Sequence, residues 1–116
     1  MNTMYGISNC DTIKKAKVWL KDNNIDFEFH DYKKQSLSPE FLREMINEHG
    51  LDIIVNKRGT TFRKLSEQEK AQLNEQSAID LLIAQPSMIK RPILVHSNGS
   101  SVGFKPAQYA EIFNIA

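Results

Sequence analysis

The chain has a single cysteine, Cys10, among its 116 residues. One thiol cannot close an internal disulfide, so a disulfide-stapled extracellular scaffold is excluded. Long apolar runs are missing as well. Nothing approaches the roughly 20 residues that a membrane-spanning helix needs. The opening residues, MNTMYGIS, carry neither a basic stretch nor an apolar core, so a secretory signal is not expected. An excess of one charge is absent too. Fifteen Lys and Arg stand against 14 Asp and Glu, a formal +1. That balance argues against binding a polyanion through bulk charge. His30, His49 and His96 show no metal-ligand spacing. Neither a GxGxxG nor a phosphate-binding P-loop pattern occurs. A reduced, cytoplasmic setting is the expectation.

What remains is an ordinary globular composition, 41% hydrophobic and 25% charged. No repeat or Pro/Gly/Ser-rich linker divides it, so a single domain over 1–116 is expected. TMYGI reads as a first strand. Residues 12–23 read as a helix, with Ile13, Ala16, Trp19 and Leu20 on one face and Asn23–Asn24 as its stop. DFEFHDY alternates as a half-buried strand. Ser38–Pro39 opens a helix that ends near Gly50. Ser66 with Glu69, and Ser77 with Asp80, suggest helices over about 67–73 and 78–85, the second closed by Pro86. RPILVHS returns to a strand, Asn98–Gly99 predicts a hairpin turn, and SSVGF is the partner strand. PAQYAEIF closes the described pattern as a helix. The order β-α-β, helices, β-β-α predicts an α/β fold: a thioredoxin-like four-stranded mixed sheet with a helical insert at about 38–85.

In this arrangement Cys10 sits between the first strand and the first helix, with Asp11 and Thr12 at the helix start. The first N–H groups of a helix lack internal acceptors and favour a thiolate. Cysteines so placed fall from about 8.5 to somewhere between roughly 3.5 and 7.5 in pKa. The opposing reading is a small, buried, inert side chain. Asp11 opposes the thiolate if its carboxylate faces the sulfur, and does not if it caps the helix. Three basic segments lie further on: NKRG with Arg58, IKRP with Arg91 and GFKP with Lys105. Arginine suits oxyanions and carboxylates because its fork donates two parallel hydrogen bonds. The alternative for each is a solvated surface charge. The stretch KRGTTFRKL reads as a charged loop rather than a nucleic-acid patch. Trp19, Phe41 and Phe62 read as core rather than as a stacking platform.

The stretches YGISNCDTIKKAKVWL, NKRGTTFRKL, MIKRPILV and VGFKP together resemble the arsenate reductase ArsC / Spx family, most closely its small YffB-like branch. The resemblance runs over nearly the whole chain. It implies a thioredoxin-like fold, a catalytic cysteine in the first loop and an oxyanion site of three arginines. Cys10 falls on the nucleophile, and Arg58 and Arg91 on two of those arginines. Lys105 stands where the reductases carry the third; it keeps the charge and loses the fork. Pro92 matches the proline held in cis facing the cysteine. Family regulators carry C-x-x-C and the reductases a serine at its last position, whereas this chain has Ile13. A redox cycle would therefore need an outside thiol, with glutathione as co-substrate or a glutaredoxin-type protein as reductant. No bound cofactor or metal, no membrane, no direct nucleic-acid contact and a monomeric state are expected. The implied activity is a glutathione-dependent thiol oxidoreductase. The alternatives are an Spx-like regulator that binds RNA polymerase, or an ArsC-fold protein with weak or no reductase activity.

Overall fold

A computed structural model describes residues 2–115. The chain divides into two compact units. One takes the residues up to Asp31 together with those from Arg91 onward, and the other is Tyr32–Lys90.

The first unit opens with β1 (Asn2–Gly6), α1 (Asp11–Asp22) and β2 (Phe27–Asp31). Strands β1 and β2 pair in parallel, with Met4 opposite Phe29. Helix α1 ends where the Asn pair predicts. Asn24 takes a left-handed φ of 58°, its N–H donates to the Lys21 carbonyl, and the Ile25 N–H donates to the Leu20 carbonyl at 2.9 Å. This doubly bonded stop satisfies two carbonyls that the helix leaves open.

Helices fill the second unit. They are α2 (Pro39–His49), α3 (Leu51–Ile54), α4 (Thr60–Arg63), α5 (Glu67–Ala71) and α6 (Glu75–Ala84), followed by a short 3-10 turn at Pro86–Met88. Ser38 Oγ accepts from the Phe41 N–H at 3.1 Å, as expected of an N-cap before proline. Gly50, at φ 94°, ends α2. Ser66 and Glu69 exchange both bonds of a capping box. The start of α6 differs from the expectation at Ser77. Asn74 is the cap: its side chain accepts from the Ser77 N–H, and Ser77 Oγ accepts from the Asn74 N–H, each at 2.9 Å. Asparagine caps as well as serine does, so the helix begins three residues before Ala78. Leu42, Ile54, Ile79 and Leu82 form this unit's fully buried centre. The buried Tyr32 donates its O–H to the Ile89 carbonyl at 3.0 Å.

The chain then returns to the sheet as β3 (Ile93–His96) and β4 (Gly99–Val102), and α7 (Pro106–Ile112) follows. The sheet order is β2-β1-β3-β4 with β3 antiparallel to both neighbours. The mixed four-stranded sheet inferred from the sequence is therefore the observed one. The hairpin turn lies one residue earlier than Asn98–Gly99. Ser97 and Asn98 form it, and Gly99, at φ 139°, already pairs with His96. Met4 and Leu94 of the sheet, Ile13, Ala16 and Leu20 of α1 and Tyr109 of α7 make one fully buried cluster. Their spacing on α1 follows the helical period, which is why one face of that helix closes on the sheet.

Candidate active site

Two constraints fix where Cys10 stands. A Cβ added to Gly6, at the end of β1, would overlap the Ile13 side chain, so only glycine lets α1 approach the strand this closely. Ile13 itself is fully buried. The two residues between Cys10 and Ile13 are therefore short on freedom. Cys10 is the N-cap residue of α1, extended at φ −146° and ψ 127°, and its carbonyl accepts from the Lys14 N–H at 3.0 Å.

The thiol is half-buried and rests against the core cluster. It does not make the fixed-geometry cap bond of a serine or aspartate side chain. Partial burial pushes its pKa up. The Ile13 N–H, the Arg91 side chain acting as a hydrogen-bond donor, the Thr12 N–H and the Arg91 charge together outweigh that, so the thiol lies below its ordinary range. The N–H groups come from the first turn, where no internal acceptor competes for them.

Arg91 reaches the sulfur from two residues before β3. The Arg91–Pro92 bond is cis. Pro92 is buried, and its carbonyl accepts from the Gly103 N–H at 2.8 Å. Gly103 has φ 84°, and a Cβ there would meet no atom within 4 Å. The requirement for glycine is thus in the backbone angle rather than in space. This bond ties the GFKP loop to the Arg91–Pro92 segment. Lys105 follows two residues later, exposed, as the N-cap residue of α7.

The sequence-derived residues thus separate into two groups. Cys10, Arg91, Pro92 and the loop bearing Lys105 belong to the first unit, with Cys10 and Arg91 in direct contact. Arg58 belongs to the second unit, exposed in the turn before α4. Asp11 and Thr12 are both exposed in the first turn of α1, and of the two it is Thr12 whose N–H acts on the thiol. Sequence reasoning overlooked the backbone of Ile13. The signal was available, because the third N–H of a helix is a standard partner for an N-cap side chain. Among the described residues no three His, Cys, Asp or Glu side chains converge as a metal site. No helix there is long and apolar enough to cross a membrane.

The ArsC family model matches residues 5–112. An uncharacterized protein of Haemophilus influenzae is 43% identical over 97% of this chain and 99% of its own length. The global transcriptional regulator Spx of Streptococcus pyogenes is 29% identical, covering 90% of this chain and 78% of its own. The solved structure of a YffB protein superposes with a TM-score of 0.90 at 50% identity, covering 96% of this chain and 97% of that one.

Proposed function

The chain belongs to the ArsC family, and on that premise we propose that it is a glutathione-dependent thiol oxidoreductase with Cys10 as its nucleophile. The observation that carries this reading is the contact of Arg91 with a sulfur that the first turn of α1 already favours as thiolate. The thiolate is the form that attacks sulfur.

In the proposed cycle the Cys10 thiolate attacks one sulfur of an oxidised substrate. The substrate's S–S bond breaks, a Cys10 mixed disulfide forms, and the other thiolate departs. Ile13 occupies the place of a resolving thiol. With glutathione's sulfur as the one taken up by Cys10, a second glutathione therefore attacks the Cys10–glutathione disulfide from outside, leaving as glutathione disulfide and restoring the Cys10 thiolate. Arg91 and Lys105 are assigned to the carboxylates of glutathione or to a bound oxyanion. Lysine at position 105 supplies charge without the bidentate fork, which favours a sulfur substrate over arsenate. The regulator alternative rests on the Spx relative, and Ile13 removes the second thiol of a C-x-x-C switch.

Incubation with glutathione disulfide, followed by intact-protein mass spectrometry, tests the proposal. The expected product is one glutathione on Cys10, released again by added glutathione. A chain that stays unmodified at neutral pH, while a free cysteine peptide exchanges, rules the enzyme reading out.

A further inference from the structure

One face of α1 and the loop entering α7 border an open groove of about 440 Å³. Its lining is mostly apolar, from Val18, Trp19, Phe104 and Pro106. Val18 is 56% exposed, although the same helix buries Ile13, Ala16 and Leu20 completely. The two aromatic walls are preformed. Tyr109, fully buried, meets Trp19 edge-on at 5.6 Å and Phe104 edge-on at 4.7 Å. Lys14, Lys15 and Asp22 also line the groove. Volume, apolar lining and a few charged groups are what a recognition site has.

The groove starts near the end of α1 that carries the thiol. Lys14 bonds through its N–H to the Cys10 carbonyl, so the lining begins one helical turn from the N-cap. Val18 lies eight residues beyond Cys10 on one straight element, roughly 12 Å at 1.5 Å per residue. An extended peptide covers that span in about three or four residues. The charged groups that line the groove are Lys14 and Lys15 against Asp22, two minus one, or +1. A basic rim selects an acidic partner.

We propose that this groove docks the segment flanking an oxidised cysteine in a protein substrate. An apolar side chain about three or four residues from that cysteine sits against Val18, Trp19 and Phe104, and an acidic residue faces Lys14 and Lys15. The proposal rests on Cys10 being the nucleophile, and it makes the substrate class a protein cysteine joined to glutathione. The Cys10 thiolate attacks the glutathione sulfur, and the substrate cysteine leaves with the electron pair and takes a proton. A second glutathione then attacks the Cys10–glutathione bond. Substrate disulfide plus glutathione gives substrate thiol plus glutathione disulfide.

Two acidic, tryptophan-free peptides with one glutathionylated cysteine test it. They differ only three residues after the cysteine, in Leu against Gly. The Leu peptide is expected to show a kcat/KM about tenfold higher, the discrimination that burying one aliphatic side chain supplies. Val18→Asp, at an exposed position, should bring that ratio to about one, and Val18→Ser is the milder second variant. Equal rates in the unaltered protein, or a ratio that survives both substitutions, overturn the proposal. If neither peptide nor glutathione disulfide exchanges, the thiol chemistry fails by itself, and binding then decides the groove. Trp19 is the only tryptophan in the chain, so its fluorescence reports occupancy by the same peptides with serine for cysteine. Saturable quenching by the Leu peptide alone upholds docking, and equal responses overturn it.

Discussion

The Ile13 N–H favours the Cys10 thiolate while the Ile13 side chain is fully buried in the core. One residue thus anchors the helix and supplies a donor to its N-cap. The donor belongs to the backbone and survives any side-chain change that keeps the helix. The Arg91 contribution is carried by a side chain and can be deleted.

Arg91→Ala should raise the Cys10 pKa, because a hydrogen bond and a positive charge are lost together. Iodoacetamide alkylation against pH reads this directly. The midpoint should move up and the rate at pH 7 fall roughly three- to tenfold, since only the thiolate reacts. The stability consequence has a definite sign. A thiol whose folded value is depressed contributes stability above the ordinary thiol range, and loses it as pH falls through the folded value. Between those two values the unfolded chain binds more protons, so stability rises with pH in the unaltered protein. That slope should flatten in Arg91→Ala. An unchanged alkylation midpoint would remove Arg91 from the site.

Gly6→Ala tests how α1 is seated. The added methyl overlaps Ile13, whose burial gives it little room to move. A destabilisation of about 1–3 kcal/mol is expected, as for other overpacked cores. Urea unfolding measures it. Because Ile13 carries the N–H nearest in effect to the sulfur, the alkylation midpoint should rise as well. A stability loss with no change at Cys10 would mean that α1 shifts as a rigid piece.

Much of this fold was legible because it rests on local chemistry. The 3.6-residue spacing of Ile13, Ala16 and Leu20 marked the buried face of α1, and Ser38–Pro39 and Ser66–Glu69 marked two helix starts. The errors came where two local signals compete. Asn74 and Ser77 both suit a cap, and periodicity does not rank them. The Asn98–Gly99 pair looks like a turn centre, yet pairing of His96 with Gly99 moves the turn to Ser97–Asn98. The one-turn helices α3 and α4 carry too few residues for a period to register. Trp19 was legible as apolar and on the core side. Its second role, as a groove wall, depends on Phe104, more than eighty residues away in the chain. The contact of Arg91 with Cys10 is likewise tertiary and entered through family resemblance alone.

Tyr109→Phe should leave stability unchanged or raise it by up to about 1 kcal/mol. Tyr109 is fully buried, and its hydroxyl has no hydrogen-bond partner among the described residues. Burial accordingly pushes its pKa above the usual phenol range. Removing an unpaired buried hydroxyl removes a desolvation cost. The ring is another matter, since it packs edge-on to Trp19 and Phe104. Tyr109→Ala should cost about 3–5 kcal/mol. Thermal unfolding of the pair separates hydroxyl from ring. A Tyr109→Phe protein less stable by more than about 1 kcal/mol would reveal a bonded hydroxyl.

Lys105→Arg tests whether position 105 limits oxyanion binding. The residue is exposed on a loop tied to Pro92 by the Gly103 N–H, so the larger head group meets no packing constraint. Arginine adds the planar fork that lysine lacks. If Lys105 contributes to the anion site, the change should tighten phosphate or arsenate binding about three- to tenfold, the worth of one added charge-assisted hydrogen bond at an exposed position. Protection of Cys10 from alkylation by increasing phosphate measures this. Lys105→Ala should weaken the same protection. The two substitutions must therefore move the curve in opposite directions. A shared direction, or none, would place Lys105 outside the site and leave Arg91 as the anion partner in contact with Cys10.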